Sequence, residues 1–318
     1  MTLKLEDVLE LTPGSVEGIN DWFLNRVEKN IDSGLYPDLN TLETIADNIK
    51  ESLSIYKDKH NIEDVAIGMS GGVDSALTAA LFKQAGWTVH GATLPINQIE
   101  TETDRGQEAI EALGLERYNF DLIKQFESMQ EYLGENDETY RGLQRQGNIR
   151  ARLRMLTLYN LAHKVGGCVG STDNFSELSA GFWTLHGDVG DIAPIQSLSK
   201  SWEVPAIAQM LGVPQATVKA VPTDGLGISK SDSDQLGMSY LEFDILLFDL
   251  LSLPNLSRET IQDYINSITE EEIQNKAGLV LSRVASTGFK RNNPFNLDHP
   301  LFSNRFEILE KLDRSLMT

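Results

Sequence analysis

The string GMSGGVDS, from Gly68 to Ser75, sets Ser70, Gly71 and Gly72 between an apolar run, DVAI, and a helical pattern, ALTAALF. A small-residue turn between a strand and a helix N-terminus can bind an anion. Its backbone N–H groups point outward and the helix dipole adds partial positive charge. Glycine lets the chain approach phosphate oxygens that a side chain would keep away. A tight turn without a ligand accounts for SGG alone equally well. The string lacks the lysine of the G-x-x-x-x-G-K-[ST] loop. It carries instead the hydroxyls of Ser70 and Ser75 and the carboxylate of Asp74, flanked by Met69 and Val73. An acid beside a polyphosphate needs Mg²⁺ between them, and the missing cation must come from elsewhere in the chain.

Other residues could complete such a site. Glu177 lies in TDNFSE, just after a strand-like GCVGST, where a second acidic ligand competes with an ordinary surface carboxylate. Lys200, in SLSK, could stabilise charge on a breaking phosphate bond, or merely start a helix, where the dipole disfavours it. Asp188 and Asp191, in HGDVGDI, are either reactive acids or turn stabilisers. Arg150, Arg152 and Arg154 alternate along one helix. At roughly 100° per residue the outer two share a face and Arg152 points away. The three therefore cannot all serve one site, and those left out are expected to pair with acids or to line a subunit interface.

The elements that must position these residues alternate. DVAIGMS, WTVHGATLPI, ERYNFDL and GCVGST read as strands, with glycine-ended helical patterns between them. The order implies an α/β fold, a parallel sheet covered by helices on both faces, with ligands at the carboxyl ends of the strands. Both GMSGGVDS and VGSTDNFSE sit at such ends. One domain over 1–318 is expected: a helical N-terminal extension to about 60, an α/β core over about 61–235, and a helical remainder over about 236–318. LNTLETIADNIKESLSIYKDKH should be a helix capped at Asn40 or Thr41.

Composition narrows the class. The 318 residues carry 47 acids against 27 Lys and Arg, a net charge of −20, which argues against a nucleic-acid binder. No window resembles a membrane span, no signal peptide is evident, and the one cysteine, Cys168, suits a reducing cytoplasm as a buried apolar residue.

SGGVDS after a strand resembles the pyrophosphate loop of the N-type ATP pyrophosphatases. QGNIRARLRMLTLYNLAH, GSTDNFSELSAGFWTLHGDVGDIAPIQSLSK, VPTDGLGISKSDSDQLGMSYLEFD and GFKRNNP follow in order. Together they are similar to ammonia-dependent NAD synthetases, from about residue 40 to 295. The resemblance implies a Rossmann-like sheet of the adenine nucleotide alpha hydrolase type. It also implies ATP-driven amidation of nicotinic acid adenine dinucleotide through an adenylate, releasing AMP and pyrophosphate. The nitrogen would come as ammonia, since no room is left for a glutamine amidotransferase domain.

Carried over residue by residue, the loop Gly68–Ser75 with Thr172, Lys200 and Thr223 would hold ATP. Asp74 and Glu177 would hold Mg²⁺. Arg152, Asp191 and Lys290 would contact the acid dinucleotide, and Asp188 would orient ammonia and take its proton. A homodimer is implied by the resemblance alone. Two positions depart from the family pattern TKYGDGG and HK: Leu185, followed by His186, replaces a lysine, and Phe289 replaces a histidine. The aspartate loop is also one residue shorter. These departures touch the acid substrate and not ATP, so they leave open the same chemistry on another carboxylate. His186 is a candidate to restore the missing charge, and Phe289 to stack on a ring. A nucleotide-binding regulator without turnover is the reading from another class; the intact Asp74, Glu177, Lys200 and loop argue against it.

Overall fold

The computed structural model describes residues 3–14, 16, 18–223 and 225–294. Four parallel strands form the sheet: β1 (Asp64–Gly68), β2 (Thr88–Thr93), β3 (Glu116–Asn119) and β4 (Cys168–Val169), in the order β3-β2-β1-β4. Side chains alternate across a strand. Val65 and Ile67 of β1 enter one apolar cluster and Ala66 enters another, all three fully buried. The first cluster lies under the helices Leu39–His60, Val73–Gln84 and Glu203–Met210. The second lies under Ile123–Leu133 and Tyr140–Val165. Burial on both faces explains why β1 reads as a continuous apolar run.

The expected strands are present but shorter than their apolar runs. GCVGST pairs as a strand only at Cys168–Val169; Gly170 adds a bridge to Ile192. Towards its start the strand is cut short by Gly166, the left-handed cap that ends the Tyr140–Val165 helix. The cap of Leu39–His60 is Asp38, whose carboxylate accepts the Thr41 N–H, and not Asn40 or Thr41. The C-terminal helical stretch divides into Glu271–Ser286 and Gly288–Arg291. The N-terminal helices are integral: Val8, Phe23 and Val27 are fully buried in the first cluster with Leu241, Phe243 and Val280. The acid-interrupted run YLEFDILLFDLL forms a helix, Tyr240–Leu251, buried within the fold. Among the described residues no helix is long and apolar enough to cross a membrane.

Candidate functional site

The segments leaving β1, β2 and β4 at their carboxyl ends meet at a cavity of about 560 Å³. Gly68 to Ser75 line it, Gly71 excepted, with Thr172, Glu177, Asp188, Lys200, Thr223 and Lys290. The structure thus brings together residues that lie up to 222 positions apart, from Gly68 to Lys290.

The loop is held by packing. Gly71 has φ +87°, and a Cβ there would sit 2.1 Å from the carbonyl oxygen of Glu102. The Ser70 hydroxyl accepts the Gly72 N–H at 3.2 Å, and the Ser75 hydroxyl donates to the Gly72 carbonyl at 3.0 Å. Gly72 caps the Val73–Gln84 helix with no side-chain hydrogen bond, so no side chain competes for the first-turn N–H groups that suit an anion.

Asp74, in that first turn, and Glu177 meet at Lys200. The Lys200 ammonium is paired with Asp74 and lies 3.4 Å from Glu177 Oε1. Asn174 ties the two acids together. Its Nδ2 donates to Asp74 at 2.9 Å, and its Oδ1 caps the Phe175–Ala180 helix by accepting the Glu177 N–H at 3.0 Å. Burial works against the charge of Lys200, but Asp74 and Glu177 overcome it and hold the ammonium above its ordinary range. Burial lifts the Glu177 carboxyl, with Lys200 opposing. Lys200 does not start a helix: it precedes Glu203–Met210 with its side chain buried. Among the described residues no three His, Cys, Asp or Glu side chains group as a metal cage. Two converging carboxylates, with the remaining positions left to phosphate oxygens and water, match the usual Mg²⁺ donor set.

Asp188 lines the cavity and also stabilises its turn, accepting the Thr184 N–H at 2.6 Å. Burial raises its carboxyl above the ordinary range, against that N–H and Arg154. Asp173 had no role assigned from sequence, although it sits inside TDNFSE. It is 5% exposed, lines the cavity, and accepts from the Ser171 hydroxyl at 2.9 Å. Burial, then Asp188 and Asp74, push it up to about 7. Thr223 donates to Glu102 at 2.6 Å. Lys290 reaches the cavity but donates to the carbonyls of Gly181 and Trp183, bracing the aspartate loop.

Two expected site residues lie elsewhere. Arg152 does not line the cavity; it is exposed and its Nε donates to the Leu185 carbonyl at 3.3 Å. Asp191 also lies outside, with one oxygen accepting from Tyr159 and the other from the Val169 N–H, both at 2.8 Å. Arg150 and Arg154 do share a face. Their guanidinium groups donate to the carbonyls of Leu226 and Gly225, and Arg154 also acts on the Asp188 carboxyl. His186 is exposed in a left-handed conformation, and Phe289 is 63% exposed. Cys168 is buried and unpaired.

Residues 45–294 match the family model described as NAD synthase. The NH(3)-dependent NAD(+) synthetase of Methanococcoides burtonii is 33% identical over 237 residues, 73% of this chain and 86% of that protein. The enzyme of the same description from Alkaliphilus oremlandii is 36% identical over 191 residues, 58% of this chain and 76% of that one. The structure of NMN synthetase from Francisella tularensis superposes with a TM-score of 0.67 at 26% identity, over 81% of this chain and 99% of that one. A site of phosphate loop, paired acids and buried lysine, within a match spanning most of the chain, places this protein in the NAD synthase family.

Proposed function

We infer that the chain amidates nicotinic acid adenine dinucleotide to NAD with ammonia and ATP, through an adenylate, releasing AMP and pyrophosphate. The observation that carries this reading is the meeting of Asp74, Glu177 and Lys200 beside the phosphate loop, in a chain of this family. Gly68–Ser75, Thr172 and Thr223 take ATP. Asp74 and Glu177 would hold Mg²⁺, which neutralises polyphosphate charge when bound. The nicotinate carboxylate attacks the α-phosphorus, and the α–β bond breaks with its electron pair leaving on pyrophosphate. Lys200 offsets the charge that builds there. Ammonia then adds to the acyl carbon, AMP leaves, and a proton passes from nitrogen to Asp188. The raised affinity of Asp188 for protons suits it to that step. Most of the acceleration comes from positioning and charge. The purified protein, given ATP, Mg²⁺, ammonium and the acid dinucleotide, is expected to yield NAD, AMP and pyrophosphate in equal amounts. Pyrophosphate without NAD would overturn the acid assignment.

A second reading keeps the chemistry and shortens the acid to the mononucleotide. Leu185 and Phe289 stand where the family pattern has a lysine and a histidine, and two of the residues carried over as dinucleotide contacts, Arg152 and Asp191, lie outside the cavity. The likeness to the Francisella tularensis NMN synthetase supports it. Comparing kcat/KM for the mononucleotide and dinucleotide acids decides between the two.

The chain acts as one unit, in keeping with an apolar cluster that runs from Leu3 to Val280. A homodimer is supported by exposed apolar groups on two helices that pack together: Met129, Tyr132 and Leu133 on one, Leu156 on the other. The buried free thiol of Cys168 suits a cytoplasmic setting.

A further inference from the structure

Among the described residues five basic side chains line the cavity: Arg105, Arg154, Lys200, Arg283 and Lys290. Four are engaged by the protein at their charged ends. Lys200 faces Asp74 and Glu177. Arg154 donates to the carbonyls of Leu94 and Gly225 and to Gln98. Lys290 donates to Gly181 and Trp183, and Arg283 to Gln235. Arg105 differs. Its Nε donates to the Gly71 carbonyl at 3.2 Å, and among the described residues its two terminal nitrogens have no partner.

The placement of Arg105 is built in. The Glu100–Ala112 helix and the phosphate loop approach closely at two points. One is Gly71 against Glu102. The other is Gly106, where a Cβ would sit 2.6 Å from the Met69 carbonyl oxygen. These contacts lock the helix to the loop and set Arg105, half-buried, on the cavity wall beside Gly71. A planar guanidinium with one nitrogen anchored and two open is suited to phosphate oxygens in a bidentate geometry.

We propose that Arg105 is a catalytic residue that grips the β- and γ-phosphates of ATP and stabilises the departing pyrophosphate. This assignment rests on the amidation reading. As the substrate oxygen bonds to the α-phosphorus, the bridging P–O bond breaks and its electron pair moves to pyrophosphate. Arg105 meets that added charge without giving up a proton. It fills the place left by the lysine that the loop lacks, from a helix that the loop motif does not include.

The test compares wild type with Arg105→Ala and Arg105→Lys. Binding of inorganic pyrophosphate in the presence of Mg²⁺ is measured by calorimetry, with KM for ATP and for ammonia and the melting temperature of the unliganded protein. Arg105→Ala is expected to weaken pyrophosphate binding by about 10- to 100-fold. It should raise KM for ATP, lower kcat and leave KM for ammonia unchanged, with Arg105→Lys recovering part of the loss. Pyrophosphate binding within twofold of wild type in Arg105→Ala would overturn the proposal. So would a loss that lowers the melting temperature and is not relieved by lysine, since that outcome assigns Arg105 to holding Gly71. A wild type that forms no AMP would sink the amidation reading itself, whereas an active wild type with an indifferent Arg105→Ala sinks only this assignment.

Discussion

Lys200 brings to the cavity the cation that the loop Gly68–Ser75 does not carry. Its ammonium sits between Asp74 and Glu177, and it opposes the burial that pushes the Glu177 carboxyl towards its neutral form. A second buried acid, Asp244, lies behind it and answers to pH. Asp244 is fully buried and accepts the Ser201 N–H at 3.0 Å. Burial pushes its carboxyl up to about 6, against Ser176, Ser201 and Lys200; Glu203 and Tyr36 also face it. A raised carboxyl means that the folded state holds a proton that the unfolded state has released. Its contribution is full below about pH 4 and is lost as pH rises through about 6, on the order of 3 kcal/mol. Asp244→Asn should flatten that part of the stability profile, read from urea unfolding between pH 4.5 and 6.5. Equal slopes in the two proteins would refute the assignment. Asp74 and Glu177 were readable in the sequence because their strings are short and local. Arg105 was not, because within TDRGQEAIEALG it is one polar residue of an ordinary amphipathic helix. Arg152 and Asp191 show the converse: a motif position does not say which way the side chain points.

At the scale of elements, the loop and the Glu100–Ala112 helix form one packed unit. SGGVDS reads as a flexible turn, but the structure makes Gly71 a contact point with a left-handed backbone. Gly71→Ala should lower stability by about 2 kcal/mol or more, from strain and collision together. Gly72→Ala is the control. Gly72 has φ −91° and a Cβ there would meet only the Ser70 hydroxyl at 3.4 Å, so the variant should unfold at the wild-type urea midpoint. Equal midpoints for both variants would show that the packing is not as described. The strand and helix alternation was legible because each period is local. Strand length was not: β4 pairs with β1 only at Cys168–Val169, between the Gly166 helix cap and the bridge of Gly170 to Ile192, a contact between distant segments.

For the whole molecule, the helices Ile123–Leu133 and Tyr140–Val165 carry exposed apolar groups. Leu156 is 68% exposed and Tyr132 is 84% exposed, so charge there should not disturb the core. Leu156→Glu is expected to convert a dimer into a 35.3 kDa monomer in sedimentation equilibrium; a wild type already at that mass would remove the basis for the dimer. By itself the sequence pointed to the loop, Asp74 and Glu177, each in a short string next to a strand end, and to Lys200 as parts of one site, and the structure brings them together. The sequence also determined the α/β class, because hydrophobic periodicity is local. Only the tertiary structure decided which cations reach the cavity. It turned Lys290, Arg150 and Arg154 onto carbonyls, left Arg152 outside, and left Arg105 with two open nitrogens. The reason is that a long basic side chain goes to the acceptor that folding places nearest, and that acceptor usually lies far away in sequence.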